Sequence, residues 1–136
     1  MANHKWTEET DAIDRATKRA LEIIGKVVLG RAQAYAHGNV DTGRLAGSLT
    51  YAVKNKQSDI TRPGPGPHAT DRDRVKKPQS KYELYVGSNV EYAQHVEYGT
   101  RYTGSGWPYL RPALDDSRRD AQKIYRDELK AAFRGK

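Results

Sequence analysis

Apolar residues return at intervals of three and four along the first third of the chain: Ile13, Ala16, Ala20, Ile24, Val27, Val28 and Tyr35. That spacing predicts one amphipathic helix over roughly 7–35. Thr7 is placed to cap it, with Glu8, Glu9 and Asp11 at the positive end of its dipole. Gly25 and Gly30 fall inside it, and each costs a helix interior about 1 kcal/mol relative to alanine. Either another backbone approaches closely there, or the glycines sit on an exposed face. His37-Gly38-Asn39 ends the helix. The period then shortens to two. Leu49, Tyr51 and Val53 alternate with Thr50 and Ala52, and Tyr82, Leu84 and Val86 share one face further on. These segments predict an antiparallel pair, 49–53 with 82–87.

Between them, 55–80 has only Ile60 and Val75 as large apolar residues and carries Arg62-Pro63-Gly64-Pro65-Gly66-Pro67 at its centre. It reads as a long flexible loop, functional or disordered. Tyr92 to Tyr98 reads as a helix of about two turns, stopped by Gly99 and too short to be stable without tertiary packing. A last helix over roughly 112–133 opens on Pro112, whose missing N–H does no harm in a first turn. Leu110, Leu114, Ser117, Ala121, Ile124, Leu129 and Phe133 approximate its apolar stripe. Its other face alternates in sign and reads as solvated. The sum is an α+β fold: two long amphipathic helices packed on a small antiparallel β-sheet, with a short third helix and a long flexible basic loop. At 136 residues it is a single domain.

Composition alters this picture in two respects. The hydrophobic share of 36% and mean hydropathy of −0.93 are low for a self-contained monomer. Part of the chain is therefore expected to be unpacked, or to be buried by other subunits. The net charge of +7 is also uneven, since eight basic and three acidic residues lie between Lys54 and Lys81. Lys54, Lys56, Arg62, Arg72, Arg74, Lys76, Lys77 and Lys81 make this loop a candidate contact for DNA phosphates or for an acidic face of a neighbouring protein. A plain solubilising loop is the alternative. With no cysteine, disulfides and thiolate metal sites are excluded. The first fourteen residues lack the apolar core of a signal peptide, and no run is long enough to span a membrane. A soluble protein made in a cytoplasm is expected.

Candidate chemistry is sparse. The four histidines, His4, His37, His68 and His95, have no ligand spacing to one another. His95-Val96-Glu97 resembles half of a zinc-deaminase signature without its cysteines. Gly64 and Gly66 lack the Lys-Ser/Thr of a phosphate cradle. Glu91 and Glu97 fall on different faces of a short helix, which does not suit paired-carboxylate chemistry. No enzyme, cofactor or metal is expected. Glu97, one turn from a helix end, is unfavourable for the dipole and calls for a cationic partner. Arg44 and Arg111 are the candidates.

Three segments carry a family resemblance. They are Val40-Asp41-Thr42-Gly43-Arg44-Leu45, then Tyr92-Ala93 with Glu97, Gly99 and Thr100, then Pro108-Tyr109-Leu110-Arg111-Pro112-Ala113. Taken in order they resemble the tail-completion or head–tail joining proteins of tailed bacteriophages, the neck or minor tail components. That family has a Val-Asp-Thr-Gly-x-Leu segment after a long helix, then Tyr-Ala-x-x-x-Glu-x-Gly-Thr, then Pro-aromatic-Leu-x-Pro-Ala opening the last helix. His37-Gly38-Asn39 departs from the Ala-Pro usual before the first motif.

The resemblance implies a structural protein of the virion that works by assembly. It implies a homo-oligomeric ring, a hexamer by analogy, at the head–tail junction. Its partners would be head-closure or connector proteins and tail-tube or terminator proteins, with genomic DNA in the lumen and no membrane. A tail-terminator ring capping the tube is the close alternative, and a basic nucleic-acid-binding module the more distant one. The aromatics Tyr92, Tyr98, Tyr102, Trp107 and Tyr109 are candidates for core or subunit contact.

Overall fold

The structure is a computed structural model and describes residues 2–37, 49–58, 75–88, 97–98, 106 and 108–134, with the backbone alone at 2–8 and 37. Helix α1 spans Ala2–His37. It ends where His37-Gly38-Asn39 was expected to stop it, but it begins five residues before Thr7. Nothing in Ala2-Asn3-His4-Lys5-Trp6 breaks a helix, so Thr7 lies within it and its first turn holds no acid. Ala12, Ala16, Ala20, Val28, Ala32 and Ala36 are buried, with Ile24 partly so. These positions recur every four residues. A four-residue period drifts around a helix of 3.6 residues per turn, so α1 turns successive parts of its stripe toward different neighbours. Ile13, expected in the stripe, falls beside it and is exposed.

The neighbours are a sheet and a helix pair. The sheet has the order β2-β1-β3, all antiparallel, with β1 at Thr50–Val53, β2 at Lys56–Gln57 and β3 at Tyr85–Gly87. Thr50, Tyr51 and Ala52 pair with Gly87, Val86 and Tyr85, the pairing expected from the alternation. Strand β2 was not foreseen. Lys54-Asn55 makes a two-residue turn that brings Lys56 and Gln57 back onto Val53 and Ala52. The stretch read as loop from 55 therefore begins as a hairpin. Its far end is also ordered: the Val75 N–H donates to Thr50 Oγ1 at 2.9 Å, and Gln57 Nε2 donates to the Val75 carbonyl at 2.8 Å. The centre of that loop, 59–74, lies outside the described residues. Strand β3 starts three residues later than expected because Ser80 to Glu83 forms a turn, with the Glu83 N–H donating to the Ser80 carbonyl.

The last helix is two helices. α2 spans Leu110–Asp116 and α3 spans Arg118–Arg134. At Ser117 the hydroxyl donates to the Ala113 carbonyl at 2.6 Å, and the N–H donates to the Leu114 carbonyl at 3.1 Å. A serine hydroxyl bonded four residues back bends a helix. α3 lies antiparallel along α1, with Arg31 beside Asp120 and Arg19 beside Glu128. The core joins all three layers: Val28, Ala32 and Ala36 of α1, Leu49 before β1, Tyr109 and Ala113 at α2.

Candidate assembly site

Glu97 and Tyr98 are the described part of the expected 92–98 helix, and both are helical. Glu97 is buried, with 6% of its surface exposed. Its Oε1 accepts three backbone N–H groups: Leu110 at 2.6 Å, and Tyr109 and Arg111 at 3.3 Å each. These are the cap and first two positions of α2, whose Tyr109 provides no side-chain cap of its own. A helix start leaves four N–H groups without intrahelical partners. Glu97 takes three, and the fourth position is Pro112, which has none. One carboxylate and one proline thus settle the whole first turn. The negative carboxylate also sits where the α2 dipole is positive.

This corrects the expectation of a guanidinium partner in its Arg111 half. Glu97 does meet Arg111, but through its backbone, and among the described residues no ion pair joins their side chains. The Arg111 side chain is exposed. Buried N–H groups at a helix start offer a carboxylate the same positive environment without desolvating a second charge. Arg44 lies outside the described residues, as do Asp41, Thr42, Gly43, Leu45, Tyr92, Ala93, Gly99 and Thr100.

The junction borders an open groove of about 750 Å³. Ile24 and Val28 of α1, Val86 of β3, and Leu110 and Leu114 of α2 supply its apolar wall. Tyr98 stands at its edge with 76% of its surface exposed, and Leu114 has 56% exposed. The aromatics near the motifs therefore divide. Tyr109 is fully buried in the core and Tyr98 faces outward. Pro108 is exposed beside them.

Arg31 is a residue the sequence reading missed. Its Nη1 donates to the Asp116 carbonyl at 3.0 Å and to Ser117 Oγ at 2.8 Å, and its Nη2 pairs with Asp120 at 2.6 Å. The guanidinium thus fills the gap where the helix breaks. Tyr35 adds a hydrogen bond to the Asp116 carboxylate, which raises the phenol's pKa above its ordinary value. The last helix's polar face is in this part bound to α1 rather than solvated. The available signal was a charge set between Val28 and Ala32 on the apolar stripe.

The basic residues also divide. Lys56 pairs with Glu22 at 3.8 Å and Lys81 with Asp14 at 2.8 Å. The Asp14 carboxyl is held below its usual range chiefly by the Lys81 hydrogen bond, with a second from the Tyr82 hydroxyl. Lys81 is correspondingly raised, first by its bond to Asp14. Lys54 sits at the β1–β2 turn, and Lys76 and Lys77 are exposed. Arg62, Arg72 and Arg74 lie outside the described residues. Among those described, no group of histidine and acidic side chains could hold a metal ion, and no helix is long and apolar enough to cross a membrane.

No curated protein and no solved structure matches the chain. Residues 3–99 do match a protein family described as "Bacteriophage HK97-gp10, putative tail-component". The match runs from the start of α1 through the sheet to the Glu97 junction, and the chain belongs to this HK97-gp10-like family of bacteriophage tail components.

Proposed function

We propose that the protein is a neck component, forming a ring of six subunits that joins the DNA-filled head and its connector to the tail tube. It acts by assembly, without a catalytic step. The observation that carries this reading is the groove at the Glu97 junction. An apolar wall with Leu114 and Tyr98 this exposed is what a subunit contact covers. A ring requires head-to-tail contacts that close on themselves. The rigid junction of Glu97 with α2 would hold the groove at a constant angle to the rest of the subunit, as closure demands. The low apolar content of the chain fits burial that is completed by neighbours.

The test is a phage in which this gene is silenced. DNA-filled heads and tails of normal length that fail to join are expected. Overlong tails would instead identify a terminator ring, and normal infectious particles would overturn both. Imaging of the purified chain in the presence of virion necks should show a ring at the junction.

A further inference from the structure

We infer that a second docking site lies beside the sheet's hairpin, and that it takes an acidic peptide segment with an apolar anchor residue. The site is a notch of about 180 Å³ between α1 and the β1–β2 turn. Leu21 and Val53 form its floor and the Tyr82 ring one wall. Arg15 and Lys18 of α1, Lys54 of the turn, and Lys81 stand around the rim. Four cations converging on one small opening repel one another, and the carboxylate that lines the notch with them is already engaged. Asp14 is bonded to Lys81 and Tyr82, and Glu22 is paired with Lys56. Among the described residues, Arg15, Lys18 and Lys54 have no counter-ion. The rim is therefore left with three uncompensated positive charges above an apolar floor.

That combination selects the ligand class. A phosphodiester backbone would satisfy the rim but has nothing to place on Leu21 and Val53. A peptide with carboxylates flanking one aliphatic side chain satisfies both. The charges steer the encounter and the anchor supplies affinity. The volume suits a single side chain of leucine size. Lys81, paired with Asp14 and lying 5.3 Å from the Tyr82 ring centre, borders the notch. This inference does not depend on the ring, because the notch and the Leu114 groove share no residue.

The test uses the full chain and a short capped peptide with one leucine flanked by glutamates, followed by titration calorimetry and amide shift mapping. Binding is expected, with shifts centred on Leu21, Val53 and Lys54. Replacing the peptide leucine by serine should weaken it about tenfold, the effect of losing one buried aliphatic side chain. Lys18→Ser and Lys54→Ser should each weaken it several-fold, and their unchanged thermal unfolding would show the fold intact. The inference is overturned if the peptide does not bind, if the serine peptide binds equally well, or if shifts map elsewhere. It is also overturned if short duplex DNA binds the notch in preference to the peptide. Self-association of the free chain that Lys18→Ser abolishes would make the occupant a second copy, and would overturn it too.

Discussion

Gly25 and Gly30 look alike in sequence and differ in the fold. A Cβ on Gly25 would lie 2.8 Å from Tyr51 Cδ2 and 2.9 Å from Cγ, whereas at Gly30 nothing lies within 4 Å. The close approach at Gly25 is by a buried ring of β1, not by a backbone, and Gly30 is the exposed case. Opposite signs follow. Gly30→Ala should stabilise by about 0.5–1 kcal/mol through helix propensity. Gly25→Ala has the same propensity gain but must displace the ring, and should destabilise by about 1–3 kcal/mol net. Denaturant unfolding of both variants checks the pair. Glu97 admits a similar graded test. Glu97→Ala leaves up to three N–H groups at the α2 start without their acceptor and should cost about 2–3 kcal/mol. Glu97→Gln keeps an oxygen there but loses the charge, so a loss nearer 1 kcal/mol is expected. No loss for Glu97→Gln would mean that the carboxylate's charge is irrelevant.

At the scale of elements, α1 is the part on which the others are mounted, and its links to them are polar as well as apolar. The break at Ser117 turns α3 along α1, and Arg31 holds that turn through a planar group with several donors. Lysine has the charge but cannot reach Asp116, Ser117 and Asp120 together. Arg31→Lys should therefore lose about 1–2 kcal/mol, mostly from the unmade hydrogen bonds. Amide exchange in α3 should rise more than in β1, and uniform change would refute a local clamp. Asp14 and Lys81 tie the turn before β3 to α1. Asp14 is shifted downward on folding, so its contribution is present above its unfolded pKa and lost as pH falls through the folded value. Lys81 is shifted upward, so its contribution is present below its unfolded pKa and lost as pH rises through the folded one. A double-mutant cycle with Asp14→Asn and Lys81→Met should show coupling at neutral pH that disappears in strong acid. Coupling that persists there would exclude an ionic origin.

For the whole molecule, the expected surface for assembly is the Leu114 groove. Leu114→Glu changes a mostly exposed side chain, so monomer stability should shift by no more than about 0.5 kcal/mol, while neck assembly should fail. Loss of folding instead would show that the groove belongs to the core. The Glu97 junction also joins two parts of the chain. The family match ends at residue 99, and the Pro108–Ala113 motif lies beyond it. Glu97 binds the first turn of that motif directly. By itself the sequence determined the periodic elements, the β1–β3 pairing and the resemblance to a family of phage tail components. Helix and strand periods are local, and apolar residues on one face must find a common core. Tertiary structure alone decided the β2 hairpin, the break at Ser117, the fates of the two glycines and the partner of Glu97. The glycines and Glu97 depend on groups distant in the chain, and the hairpin, the Ser117 break and the Glu97 junction on backbone N–H or C=O groups that every residue type shares. A buried carboxylate announces in sequence only that it needs positive charge nearby. Whether an arginine or a helix start provides it is settled by which of them the packing brings within reach.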